Sequence, residues 1–218
     1  MKRWYELVAV MAVLSLVTAC SSAPEMDQDA PPAEMPDFDD EEEEQDESEE
    51  TAAEEEHDDE QGVIGMVAVA EMFSGEGEPI GEVTFTQTVD GVEVDGFIET
   101  LDESLKGFHV HEFGECDPPD FETAGGHFNP GGHSHGGPDD PADQRHAGDF
   151  GNIEFDAEGV SEFSFVDDVV TLGAGKNDII GQSLIVHYEE DDLATDPTGD
   201  AGPRAGCGII EEVRGDLD

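Results

Sequence analysis

From Val63 onward the chain has no stretch with a helical period. It runs in short alternating or apolar segments parted by turn residues: VIGMVAVAEM, GEVTFTQTV, VEVDGFIET, GFHVHEF, GNIEFDA, VSEFSFV, QSLIVHY and GCGIIEEV. Side chains of an extended chain alternate between two faces, so each segment can bury one face and wet the other. Asp90-Gly91 and Glu158-Gly159 supply hairpin signals between neighbouring segments. Eight strands at this spacing predict an all-β, antiparallel sandwich or flattened barrel over residues 63–214. Two stretches break the rhythm, Gly114 to Phe150 and Glu189 to Arg204. Loops of that length in a compact domain are either functional or disordered.

The region before Val63 is built differently. Lys2 and Arg3 precede an apolar run from Leu7 to Ala19, too short for the roughly 20 residues that span a bilayer. Residues 1–19 therefore read as a cleaved signal peptide. The run ends in Val17-Thr18-Ala19-Cys20, which resembles the bacterial lipobox, where the leader is cut and the new N-terminal cysteine carries lipid. A plain secretory signal and a buried helix are the other readings. A lipid on Cys20 would place the protein outside the cytoplasm, anchored to a bacterial membrane in the periplasm or at the cell surface. From Cys20 to Gln61 there are 21 acidic side chains and no Lys or Arg. Such a segment cannot bury a core, and residues 20–62 read as a disordered, self-repelling tether with a stretched reach on the order of 140 Å. Loose binding of divalent cations is a second, weakly specified use for it, and His57 within it reads most simply as a solvated residue. Residues 215–218 are a short tail.

The formal net charge is −51, and it is not confined to the tether, because residues 62–218 carry 36 acidic against 5 basic side chains. A domain so acidic excludes nucleic acid as a partner. It also repels itself at low ionic strength, which implies a salty working environment. If Cys20 is lipidated, Cys116 and Cys207 remain as an even pair in an oxidising compartment, and a disulfide is the natural reading.

The segment GFHVHEFGEC sets His109 and His111 on one face of a strand and Phe108 and Val110 on the other. That geometry suits a metal, and it also suits an ordinary polar outer face; the pair alone does not decide. The first long loop adds His127, His135, His146 and Asp149 within GGHFNPGGHSHGGPDDPADQRHAGDFGN. Glycine and proline leave this loop little apolar surface to bury. Three histidines and a carboxylate form a ligand set suited to zinc, and metal binding could order the loop. A mobile surface segment is the alternative.

GFHVHEFG, AGGHFNP, HGGP, RHAGDFGN, GQSLIVH and AGPRAGCGII stand in the order and approximate spacing of the copper,zinc superoxide dismutase family, and the resemblance covers about residues 63–213. It implies an eight-stranded Greek-key fold with two long functional loops, one copper and one zinc per subunit. Position by position, His109, His111 and His187 match the copper-only ligands, and His127 the histidine whose two ring nitrogens bridge the metals. His135, His146 and Asp149 match the zinc ligands. Asp191 matches the aspartate that accepts hydrogen bonds from one copper and one zinc histidine, here His109 and His135. Arg204 matches the arginine beside the open copper position, Thr198 the threonine that narrows the channel, and Cys116 and Cys207 the intrasubunit disulfide.

The implied activity is dismutation of superoxide to oxygen and hydrogen peroxide. In the family mechanism the bridge from His127 breaks at the reduced copper, takes up a proton and helps deliver it to the departing peroxide. The chain also departs from the family. His135 and His146 stand eleven positions apart, wider than in eukaryotic members, which bears on zinc affinity. His133 has no family role and reads as an exposed loop histidine, or else as a substitute ligand. The second long loop has no lysine, where many members place lysines that draw superoxide in. A rate that rises with salt is therefore expected. Subunit number stays open, with a homodimer among the family's arrangements. The rival reading is a non-catalytic copper-binding or copper-delivering lipoprotein of the same fold; an acidic surface adhesin or cation-binding lipoprotein would explain the tether but not the histidines.

Overall fold

The computed structural model describes residues 61–99 and 101–214. The leader, Cys20, the tether up to Glu60 and the tail at 215–218 lie outside the described residues. Among the described residues nine strands follow one another: β1 (Val67–Ser74), β2 (Pro79–Thr88), β3 (Gly91–Glu99), β4 (Leu105–His111), β5 (Asp149–Glu154), β6 (Val160–Asp167), β7 (Ser183–His187), β8 (Arg204–Ile209) and β9 (Glu211–Glu212). A three-residue 3-10 turn, Glu122–Ala124, interrupts the loop between β4 and β5.

The hydrogen-bonded path runs β5-β4-β7-β8-β1-β2-β3-β6, with β9 alongside β1. Every pairing is antiparallel. β5 and β6 end the path and meet through side chains, with the Phe150 and Phe165 rings 5.5 Å apart, so the barrel is nearly closed. The connections from β3 to β4 and from β6 to β7 join strands that are not neighbours on this path, which gives the Greek-key winding. Met72, Phe85, Val94, Ile98, Phe108, Val110, Leu184 and Val186 are fully enclosed and fill the interior.

Three differences from the sequence expectations have physical causes. β1 begins at Val67 because Gly65, at φ +83°, and the Met66 N–H bond to Val63 O make a turn of the preceding residues. The last expected strand is split at Ile210, which turns inward and is fully buried. Asp156 to Val160 does form a tight turn, closed by Asp156 N–H to Val160 O, but the strands it joins then diverge. β5 pairs with β4 and β6 with β3, each on its outer edge, and aromatic rings fill the gap between them.

The alternation expected of β4 is present, and the strand is buried on both faces after Leu105. Phe108 and Val110 enter the core, while His109 and His111 face the two long loops. β4 lies between β5 and β7, so side chains from three adjacent strands and both loops converge there.

Candidate metal centre

His109 and His111 on β4, His187 at the end of β7 and His127 in the first long loop form one group, with one ligand atom from each within 4.8 Å of every other. His111 and His127 are joined by an isolated β-bridge, which fixes the loop histidine beside the strand. In each ring one nitrogen is engaged. His109 Nε2 donates to Asp191 at 2.7 Å, His111 Nδ1 to Gly125 O at 3.0 Å, His127 Nδ1 to Asp149 at 2.8 Å and His187 Nδ1 to Gly202 O at 3.0 Å. The other nitrogen of each, Nδ1 of His109 and Nε2 of His111, His127 and His187, is buried and has no partner. Four buried orphans of one type in one pocket cost free energy unless a shared ligand satisfies them. Four imidazole nitrogens suit copper.

The second group is His127, His135, His146 and Asp149. Asp149 Oδ1 lies 2.8, 3.1 and 3.2 Å from Nδ1 of His127, His135 and His146 respectively. Zinc bonds of about 2.0 Å arranged tetrahedrally would separate the ligand atoms by about 3.3 Å. The observed spacings are close to those edges, and three ring nitrogens converging on one carboxylate oxygen is the donor set of an ion site. The other oxygen, Oδ2, accepts the backbone N–H of Gly136 and of His146, which fixes the carboxylate. His127 is common to both groups, offering Nδ1 to this one and Nε2 to the other.

Asp191, 1% exposed, stands between the groups: Oδ2 accepts from His109, and Oδ1 from His135 at 2.9 Å. Both rings are thereby held with Nε2 protonated and Nδ1 turned toward the ion positions. Gly199 packs directly over this carboxylate at φ +62°, where a Cβ would fall 1.8 Å from Oδ1.

Arg204, the first residue of β8, is opposite His187 in the ladder and half-buried. Its guanidinium donates to Phe121 O and to Gly125 O. Gly125 O also receives His111 Nδ1, so one carbonyl orients the arginine and a candidate ligand together. The Cys116–Cys207 disulfide joins this loop to β8, with Cα atoms 5.7 Å apart. Thr198 is exposed in the turn after Pro197, its N–H bonded to Thr195 O. His133 is partly exposed, held through its backbone by Asn129 and placed in neither group.

Burial holds His111, His127 and His187 ready to ligate. It pushes His187 down to about 3, helped by nearby His109, and His111 well below the ordinary range. Burial likewise lowers His127 to about 4, against the hydrogen bond it donates to Asp149. These rings are neutral near pH 7, as ligands must be. His135 goes the other way: burial would lower it, but its hydrogen bonds to Asp149 and Asp191 prevail and raise it to about 10. Both carboxylates are held below the usual range by their histidines, against the effect of burial.

Residues 79–210 match the family described as copper/zinc superoxide dismutase (SODC). The chain belongs to this family. Two relatives from Aquifex aeolicus (strain VF5) are Superoxide dismutase (Cu-Zn) 1, 38% identical over 65% of this chain and 86% of the relative, and Superoxide dismutase (Cu-Zn) 2, 41% identical over 66% and 85%. Among solved structures, a SOD-like protein from Bacillus subtilis in a double-mutant form is 34% identical at a TM-score of 0.61, covering 66% of this chain and 96% of its own. The clock protein EA4 is 35% identical at 0.59, with 69% and 96% covered. Membership brings copper and zinc as cofactors and superoxide dismutase as the enzyme class, and the two donor sets fit those metals.

Two polar residues beside the site were not singled out from the sequence. Arg145, 1% exposed, donates through NH1 to Asp149 O at 3.2 Å and through NH2 to Asp167 at 2.7 Å, tying the metal loop to the end of β6. Asn152 pairs with the backbone of Asp191. Both lie in RHAGDFGN, next to residues with stronger metal signatures, and only the long-range contact reveals their part.

Proposed function

We propose that this superoxide dismutase works outside the cytoplasm, tethered through a lipid on Cys20, with copper held by His109, His111, His127 and His187. Zinc would be held by His127, His135, His146 and Asp149, with His127 common to both donor sets. The observation that carries this reading is the shared His127: its Nδ1 sits in the carboxylate group while its Nε2 is one of four orphaned nitrogens. Bound copper supplies a reversible one-electron couple, and zinc a charge without redox chemistry. Two superoxide anions and two protons give one oxygen and one hydrogen peroxide.

The residues of the chain bind, orient and deliver protons. Arg204 binds the anion, oriented by two carbonyls that leave its positive charge uncancelled. His127 Nε2, the ring atom that faces the copper group, would hand a proton to the departing peroxide. Asp191 keeps His109 and His135 in the tautomer that leaves Nδ1 free. Arg204 beside the histidines favours an enzyme over a copper-delivery protein, since storage alone gives an arginine there no task. Support for the anchor is in the sequence: a charged start, a short apolar run and small residues before Cys20.

The test is the dismutation rate of the full chain loaded with both metals, across a wide salt series, with Arg204→Gln beside it. Fast turnover that rises with salt in the parent and is largely lost in the variant is the expected result. Full metal content with negligible turnover at every salt would move the protein to copper handling. Metabolic labelling with a fatty acid, lost in Cys20→Ser, checks the anchor.

A further inference from the structure

Asp191 engages a histidine of each metal group, yet it lies in no strand. Its segment is docked on the barrel at three places: Lys106 Nζ donates to Tyr188 O at 2.7 Å, Gly107 N–H to Glu189 O at 2.9 Å, and Asn152 makes two bonds to Asp191 itself. Asn152 Nδ2 donates to Asp191 O, and Asp191 N–H donates to Asn152 Oδ1, both at 2.8 Å. A side-chain amide that takes the N–H and the C=O of one residue fixes that residue in position and in rotation, as a paired strand would. Gly107 and Asn152 are partners in the β4–β5 ladder, so the clamp stands on a rigid rung. The rung must be flat there, because a Cβ on Gly107 would lie 2.7 Å from Ala201 Cβ and 3.0 Å from the His109 ring.

From this geometry we infer that Asn152 is the positioning residue for both metals: by fixing the backbone of Asp191 it sets the carboxylate that aims His109 at one ion and His135 at the other. The inference rests on the metal assignment proposed above. β5 thus acts twice, lending Asp149 directly to the zinc group and, three residues on, holding Asp191 at the junction of the two groups.

Asn152→Asp keeps the shape but turns an oxygen toward the Asp191 carbonyl, and Asn152→Ala removes both bonds without adding charge; the second variant covers the case in which the first does not fold. The full chain is stripped of metal and titrated with zinc and copper in chelator competition. The copper-loaded protein is read by electron paramagnetic resonance, and cobalt in the zinc position by its visible absorption. We expect affinity for each metal to fall about ten- to a hundredfold, the usual effect of losing a partner behind a ligand, with both spectra shifted. A lower melting temperature with unchanged spectra and affinities would make Asn152 merely structural, and a loss confined to one metal would refute its joint role; either overturns the inference. These readouts need no turnover, so an inactive parent protein would refute the dismutase reading while leaving this one standing.

Discussion

Cys116→Ser isolates what the disulfide contributes. The bond joins residues 91 apart in sequence, and closing a loop of that length restricts the unfolded chain by about 4.6 kcal/mol at 25 °C in the chain-entropy treatment. Little offsets this in the folded state. Cys207 is fully buried and stays there as a small apolar thiol, while position 116 is partly open to water and accepts a hydroxyl. In a folded unit of roughly 150 residues each kcal/mol moves Tm by about 2–4 °C, so the metal-free variant should melt about 9–18 °C below the parent. Thermal unfolding followed by circular dichroism, both proteins metal-free and at the same high salt, gives the number. A reductant should bring the parent down to the variant. The segment released also carries Phe121 O and Gly125 O, the acceptors for Arg204 and His111, so the variant should also lose copper faster in the presence of a chelator. A melting shift under about 3 °C with unchanged copper retention would refute the reasoning.

Two further outcomes follow from buried charge. Asp167→Asn leaves Arg145 buried without its carboxylate, since the next acid, Asp168, stands 3.7 Å away and is exposed; breaking such a pair should cost about 3–5 kcal/mol in urea unfolding, and a loss under about 1 kcal/mol would contradict the assignment. The metal-free domain should be most stable near pH 6.5, the ordinary value for histidine. Below it the unfolded chain binds protons that His127, at about 4, and His187, at about 3, refuse when folded, so stability falls with falling pH. Above it the folded state loses the benefit of its proton on His135 as pH climbs toward about 10. Zinc displaces that proton and should abolish the alkaline decline; metal-free stability that instead rises steadily from pH 6.5 to 9 would overturn the account.

The alternating segments and turns made the all-β architecture legible, and the one-face placement of His109 and His111 followed from strand geometry alone. Strand order was another matter. Glu158-Gly159 reads as a hairpin locally, but pairing is settled by which edges β3 and β4 offer, and that depends on residues far away in sequence. The two groups that could hold metals were legible because histidine is sparse and chemically distinctive. Arg145 and Asn152 act through backbone atoms of Asp149 and Asp191, contacts that leave no pattern in one sequence. Gly125 is harder still, because the working atom is a carbonyl that any residue possesses.

Under the proposed role of Arg204, the acidity of the domain and an anionic substrate are reconciled at that residue. Of the three described arginines, Arg145 is paired with Asp167 and Arg214 with Glu212, whereas the guanidinium of Arg204 is held by two neutral carbonyls. Orientation is thus obtained without neutralisation, and the positive charge stays available to the anion. Asp120 and Glu122 lie near enough to influence that guanidinium, and the surface beyond is predominantly acidic. Salt acts on these contributions at different ranges. Screening length falls from about 10 Å at 0.1 M to about 3 Å at 1 M, so repulsion from distant exposed carboxylates disappears before attraction at contact with a half-buried arginine does. The rate should therefore climb through the molar range before it turns down, and the climb should persist, at a lower level, in Arg204→Gln, because the repelling surface is unchanged. A rate falling steadily from low salt upward would mean that attraction reaches far into solution, which a domain with 36 acidic and 5 basic side chains after Gln61 gives no means of producing.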